Sequence, residues 1–195
     1  MLDVPGSILE RARAGDELAV RAIVEQLQAP VFQTVHRLIG GRLANDVEDV
    51  TQEIFLKVFR TLDRYDPHRG VKFTTWVYAY VKNHCFDLLK KRRLNAVSID
   101  TEAVAGSEHE SSPRPIESPA AEPSELLSAA EIDRIVRSAV DELPEDQRIA
   151  FILREYQDLD YREIAHVMEC SEGTVKSRLH RAREALRQRL RRLRV

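Results

Sequence analysis

With 195 residues, 43% of them hydrophobic, the chain can bury one core or two small ones, and its net charge of -2 conceals a strong imbalance along its length. Seven glycines and little alternation of β-branched residues disfavour a sheet, while two cysteines without a CxxC pair and six scattered histidines exclude a zinc site or a disulfide framework. No apolar run approaches the roughly 20 residues that span a bilayer. The opening residues also lack the basic-then-apolar order of a signal peptide, so a cytoplasmic protein with no membrane insertion of its own is expected.

The expected fold is all-α: two small helical domains, residues 1–95 and 125–195, joined by a flexible acidic Pro/Ser-rich linker at 96–124, with a C-terminal helix-turn-helix. From Ile8 to Ile39 the apolar positions Leu18, Ile23, Val24, Leu27, Val31, Val35 and Leu38 recur at helical spacing, with Gly15 and Asp16 as a break. Pro30 predicts a bend near Gln28, and Gly40 with Gly41 predicts the end of the segment. Asn45 and Glu48 have capping-box spacing, so the next helix is expected from Asp46 to about Tyr65, burying Val50, Ile54, Val58 and Leu62. Its other face gathers Asp49, Gln52 and Glu53. Such a patch is ordinarily solvated surface, and no nucleophile, metal ligand or pocket accompanies it to suggest acid-base chemistry.

Pro67 and Gly70 make residues 66–72 a loop. The following helix, Phe73 to Arg93, carries Phe73, Trp76, Tyr78 and Tyr80 in its first two turns and ends in Lys90, Lys91, Arg92 and Arg93. Rings beside a basic run suit an unpaired nucleic-acid strand, whose bases stack while cations follow its phosphates. The same residues also suit a plain core with a basic C-terminus favoured by the helix dipole. From Ser98 to Glu125 four prolines, six serines and seven acidic residues stand against one arginine, a composition too polar to offset its ordering entropy by burial.

Beyond the linker, Glu125 to Leu143 reads as a helix with Ile132, Ile135, Val136, Ala139, Val140 and Leu143 inward. Pro144 opens another through Gln157, burying Ile149, Ile152, Leu153 and Tyr156. Asp160 and Glu163 form a capping box for a short helix from Tyr161 that ends at Glu169 to Ser171. A second helix starts near Glu172 and points Val175, Leu179, Ala182, Leu186 and Leu190 inward, with Ala165 small enough to admit a close crossing. From Ser171 onward nine Lys or Arg residues face only Glu172 and Glu184. A local excess of this size on the second helix of such a pair points to DNA phosphates.

The strings DVEDVTQEIFLKVFR, FTTWVYAYVKNHCFDLLKKRR and LPEDQRIAFILREYQDLDYREIAHVMECSEGTVKSRLHRAREAL, in that order, closely resemble the extracytoplasmic-function class of bacterial sigma factors, nearest its sigma-E-like branch. That resemblance implies a non-enzymatic subunit, without cofactor or metal, that directs core RNA polymerase to promoters. It implies that Asp49, Gln52 and Glu53 dock on the clamp helices of the β′ subunit and that the C-terminal domain reaches the β flap. It further implies that the loop before Phe73, with Phe73, Trp76, Asn83, Lys90 and Arg92, opens and reads the -10 element. Lys176, Ser177, Arg178, His180 and Arg181 would then read the -35 element. An anti-sigma factor is the implied inhibitory partner. The turn departs from helix-turn-helix habit in carrying Glu169 and Cys170 where glycine is usual. A free-standing dimeric repressor would need a heptad seam or sensing pocket, and a DNA-cutting enzyme a Ser, Tyr or metal-carboxylate centre; the sequence offers neither.

Overall fold

The computed structural model describes residues 3–102 and 129–192. Among these the chain forms eight α-helices and no strand: α1 (Gly6–Arg13), α2 (Glu17–Leu43), α3 (Val47–Arg60), α4 (Phe73–Glu102), α5 (Ala129–Asp141), α6 (Glu145–Glu155), α7 (Tyr161–Met168) and α8 (Glu172–Arg192). The N-terminal half packs α1, α3 and α4 around α2, and the C-terminal half packs α5, α6 and α7 against α8. The two halves also touch. α4 lies along α7, and α2 meets α5 and α6.

The break at Gly15 and Asp16 falls where expected: Gly15 takes a φ of 84°, and the Asp16 carboxylate accepts from the Leu18 amide at 2.9 Å to cap α2. α2 then runs through Pro30 and through both glycines to Leu43, so Gly40 and Gly41 do not end it. A Cβ on Gly41 would run into the carboxylate of Asp141 on α5. The space beside Gly41 is thus taken by a side-chain tip from α5, and α2 continues past both glycines where local sequence reading expected a stop. Asn45 caps nothing, because a 3₁₀ turn at Ala44–Asp46 carries the chain into α3 without a side-chain cap. The predicted stripe Val50, Ile54, Val58 and Leu62 is buried as expected.

Two helix ends differ from expectation, in opposite directions. α3 stops at Arg60 and passes to a 3₁₀ turn at Leu62–Arg64, while α4 continues to Glu102, past the residue where the linker was expected to begin. Between Arg93 and Glu102 there is neither proline nor glycine to break the helix. Of the linker expected at 96–124, residues 103–124 lie outside the described residues. In the C-terminal half Ile132 is 49% exposed and Tyr156 is 40% exposed, contrary to their assignment to the core. The Arg37 guanidinium of α2 sits 4.0 Å over the Tyr156 ring, so this aromatic caps a contact between the halves instead of filling one of them.

Cys85 is fully buried, and desolvation pushes its thiol up to about 12, whereas Cys170 is only half-buried in the turn before α8. At pH 8 the thiolate that reacts is absent from Cys85. A chromogenic disulfide reagent is expected to titrate one thiol quickly in the native protein and the second only with unfolding. Rapid reaction of both would contradict the buried placement of Cys85.

Candidate nucleic-acid and docking surfaces

The helix-turn-helix is positioned by reciprocal hydrogen bonds at its start. The Asp160 carboxylate accepts from the Glu163 amide at 2.8 Å and the Glu163 carboxylate accepts from the Asp160 amide at 2.8 Å, satisfying two otherwise orphan donors. α7 ends at Glu169 in the left-handed conformation (φ 52°, ψ 45°), with the Cys170 amide reaching the Ala165 carbonyl at 3.0 Å. This is the turn geometry a glycine normally supplies. Ala165, Val175, Leu179, Ala182 and Leu186 are buried between the helices, while Leu190 is half-buried.

Burying that stripe turns Lys176, His180 and Arg181 outward, and all three are exposed. Arg178 is held instead: its guanidinium meets the Asp146 carboxylate at 2.6 Å and lies 3.4 Å from the Cys170 sulfur. Ser177 turns back to donate to the Thr174 carbonyl at 2.9 Å. Farther along α8, Arg183 pairs with Glu155 at 2.7 Å and Arg189 with Glu142, so acidic residues of the C-terminal half balance part of the basic run. The five expected -35 positions thus share one end of α8 but divide into three projecting side chains and two internally bonded ones.

The aromatic start of α4 is built by a partner no sequence pattern marked. The Asp3 carboxylate accepts from the amides of Phe73 (3.2 Å) and Thr74 (3.0 Å), capping the helix from 70 residues away in sequence. Phe73 is completely buried, edge-on to Tyr65 at 5.2 Å, and presents no face to solvent in this arrangement. Trp76 is half-buried over it at 5.6 Å and meets Tyr80 edge-on at 4.7 Å, and Tyr80 is hydrogen-bonded to Thr61 at 2.8 Å. Asn83 and Lys90 are exposed; Arg92 is exposed but paired with Asp46 at 2.6 Å. Within the aromatic cluster Phe73 and Tyr78 are core, while Trp76 is half-buried among Tyr65, Phe73 and Tyr80.

Asp49, Gln52 and Glu53 all face solvent on α3, and Glu53 meets His84 of α4 at 2.9 Å. Beside them an open groove of about 820 Å³ runs between α2 and α3, lined by Val24, Phe32, Phe55, Leu56 and Phe59 with Gln52 at its edge. Leu56 is 57% exposed and Phe32 41%, an unusual display for a soluble surface. Sequence reading passed over both. Their signal was there: two large apolar residues standing off the buried stripes of their own helices.

Two all-α halves, one presenting a basic recognition helix and the other a ringed helix beside an acidic and apolar face, define a DNA-reading protein with a second macromolecular partner. Comparison with known proteins gives the family. Residues 23–94 match the model for sigma-70 region 2 and residues 133–186 the model for sigma-70 region 4. The chain is 37% identical over 180 residues to the ECF RNA polymerase sigma-E factor of Escherichia coli K12, covering 92% of this chain and 90% of that one. It is 30% identical over 183 residues to the ECF RNA polymerase sigma factor SigW of Bacillus subtilis, covering 94% and 95%. The fold is shared with the sigma factor RpoE in its complex with the anti-sigma factor NepR from Bartonella quintana (TM-score 0.64, 21% identity, 88% of this chain and 96% of that one). It is shared also with CnrH in complex with the cytosolic domain of CnrY (TM-score 0.65, 21% identity, 94% of each chain). The chain belongs to the extracytoplasmic-function (ECF) group of the sigma-70 family, and it is a sigma factor that directs promoter-specific transcription initiation.

Two outcomes follow from the geometry of the C-terminal half. Asp160→Ala removes one half of the capping box and is expected to cost about 1 kcal/mol, read as a lowered Tm. Arg181→Ala should reduce the slope of log binding constant against log salt by about 1 for duplex DNA, since one phosphate contact is lost. An unchanged slope would remove Arg181 from the contact surface.

Proposed function

We propose that residues 1–95 form the half that docks on core polymerase and engages the -10 element, and that residues 125–195 form the half that reads the -35 element. The observation that carries this division is the contrast between two solvent-facing surfaces: the acidic edge and apolar groove on α2 and α3, and the basic end of α8. Asp49, Gln52 and Glu53 supply the polar rim of a docking surface for the β′ clamp helices, and Phe32, Leu56 and Phe59 supply its apolar floor. An interface of this kind takes most of its energy from a few buried apolar anchors, with the charges setting encounter and register.

At the -10 element Trp76 offers a half-buried ring, Asn83 an amide for base edges, and Lys90 and Arg92 the charges for phosphates. Phe73 stiffens the platform from below. At the -35 element Lys176, His180 and Arg181 point outward to the major groove. Arg178, held by Asp146, and Ser177, bonded to the Thr174 carbonyl, lie between them on the same stretch of α8. Phosphate contacts fix register and base contacts fix sequence.

The protein works in the cytoplasm, bridging to the β flap through its C-terminal half. Its inhibitory partner is an anti-sigma factor, a reading supported by the fold shared with two sigma factors seen in complexes of that kind. No described helix is long and apolar enough to cross a membrane.

Purified protein added to core polymerase on a cognate promoter is expected to give run-off transcript that core alone does not. Replacing Glu53 by Lys together with Leu56 by Asp should weaken association with core at least tenfold and leave binding of the C-terminal half to -35 duplex unaltered. Full association with core by that double variant would displace the docking surface from α3.

A further inference from the structure

The loop at 66–72 organises its own interior but not its ends. Inside it the Asp66 carboxylate accepts from the His68 amide at 2.9 Å to start a 3₁₀ turn at Pro67–Arg69, and Gly70 closes that turn at a φ of 68°. At the exit, α4 begins after Lys72, whose ammonium can only donate, so its cap comes from elsewhere. The Asp3 carboxylate places one oxygen on the Phe73 amide and the other on the Thr74 amide. At the entrance, the Arg13 guanidinium donates to the Leu62 carbonyl at 3.3 Å and to the Tyr65 carbonyl. The Tyr65 hydroxyl in turn donates to the Val71 carbonyl at 2.8 Å, tying entrance to exit. Burial, with the Asp3 carboxylate nearby, pushes that phenol up from its usual value, so it stays a donor.

We propose that Asp3 and Arg13 are positioning residues for -10 recognition, holding the two ends of this loop so that it and the neighbouring Trp76 ring meet the promoter strand in a single arrangement. These roles rest on the promoter reading above and deepen it. Both residues lie before residue 23, where the match to sigma-70 region 2 begins.

The two anchors act on one cluster of rings. Phe73, whose amide Asp3 takes, lies edge-on to Tyr65, whose carbonyl Arg13 takes, and Trp76 stands 5.5 Å from Tyr65 and 5.6 Å from Phe73. A shift at either end of the loop therefore moves the rings beside Trp76. The anchors are themselves carried by packed backbone: Val4 next to Asp3 is buried, as are Leu9 and Ala12 on α1 before Arg13. A loop held at both ends gives up less conformational freedom on binding a strand than a free one, and its contacts keep the narrow geometry that discrimination needs. Losing an anchor should thus cost sequence preference more than attachment, which phosphate contacts supply.

The full chain and its variants are bound to core polymerase and assayed on a cognate promoter and on promoters with single substitutions in the -10 element. Asp3→Ala is expected to reduce the preference for the cognate sequence at least fivefold, while affinity for core and for -35 duplex stays within twofold of wild type. Val35→Ala, which opens a small cavity in the core face of α2, is the control: it should lower Tm without altering preference. Undiminished preference in Asp3→Ala, or an equal loss in Val35→Ala, would overturn the positioning role. Should Asp3→Ala fail to fold, Asp3→Asn keeps one acceptor oxygen, and Arg13→Lys keeps the charge without the fork that reaches two carbonyls. Each is expected to lose at least half of the preference, and full preference in both counts against the role. Hydrogen exchange across residues 66–75 separates the anchoring from the promoter reading. Exchange at least tenfold faster in Asp3→Ala than in Val35→Ala is expected, and equal rates would show that Asp3 does not hold the loop. If wild type shows no -10 preference, the promoter reading has failed, and exchange still decides the anchoring.

Discussion

The carboxylate of Glu163 does two jobs with its two oxygens, and much of the molecule follows from it. One oxygen closes the capping box that fixes where α7 begins, and hence the angle at which α8 leaves the turn. The other receives Lys72 and Thr75 from the N-terminal half. The reading helix is thus oriented by a local hydrogen-bond pattern, while the relation between the halves depends on contacts made by the same side chain. Local and long-range order meet at one residue.

The chemistry of the surfaces follows from what the helices must bury. α8 has one apolar stripe, and once Val175, Leu179, Ala182 and Leu186 turn inward its cations have nowhere to go but solvent or a neighbouring acid. Asp146, Glu155 and Glu142 absorb some of them. What remains outward at the N-terminal end of α8 is the set suited to a groove. α3 shows the opposite economy: its stripe is buried, yet Leu56 stays outside beside Phe32, leaving an apolar surface that only a partner would cover.

Local patterns were legible wherever they were self-contained. The capping box at Asp160, the break at Gly15, the stripes of α3 and α8, and the loop ended by Gly70 all depend on residues within a few positions of one another. Motif order along the chain carried the family as well. What escaped depended on distant partners. Gly41 looked like a terminator because nothing nearby revealed Asp141; Phe73 looked available because nothing nearby revealed Tyr65; and Asp3 gave no sign that it would cap α4. Tyr156 fitted a helical stripe but was claimed by Arg37 from the other half. Side-chain periodicity reports which face is apolar, not which neighbour will cover it.

The division of labour between the halves is most directly tested by probing strand opening on a promoter with permanganate, which attacks unpaired thymines, alongside nuclease protection of the upstream element. With core polymerase and the full chain, reactive thymines around -10 should appear together with protection at -35, and neither should appear with core alone. Protection at -35 with the -10 region still fully paired would contradict a role for α4 in opening DNA.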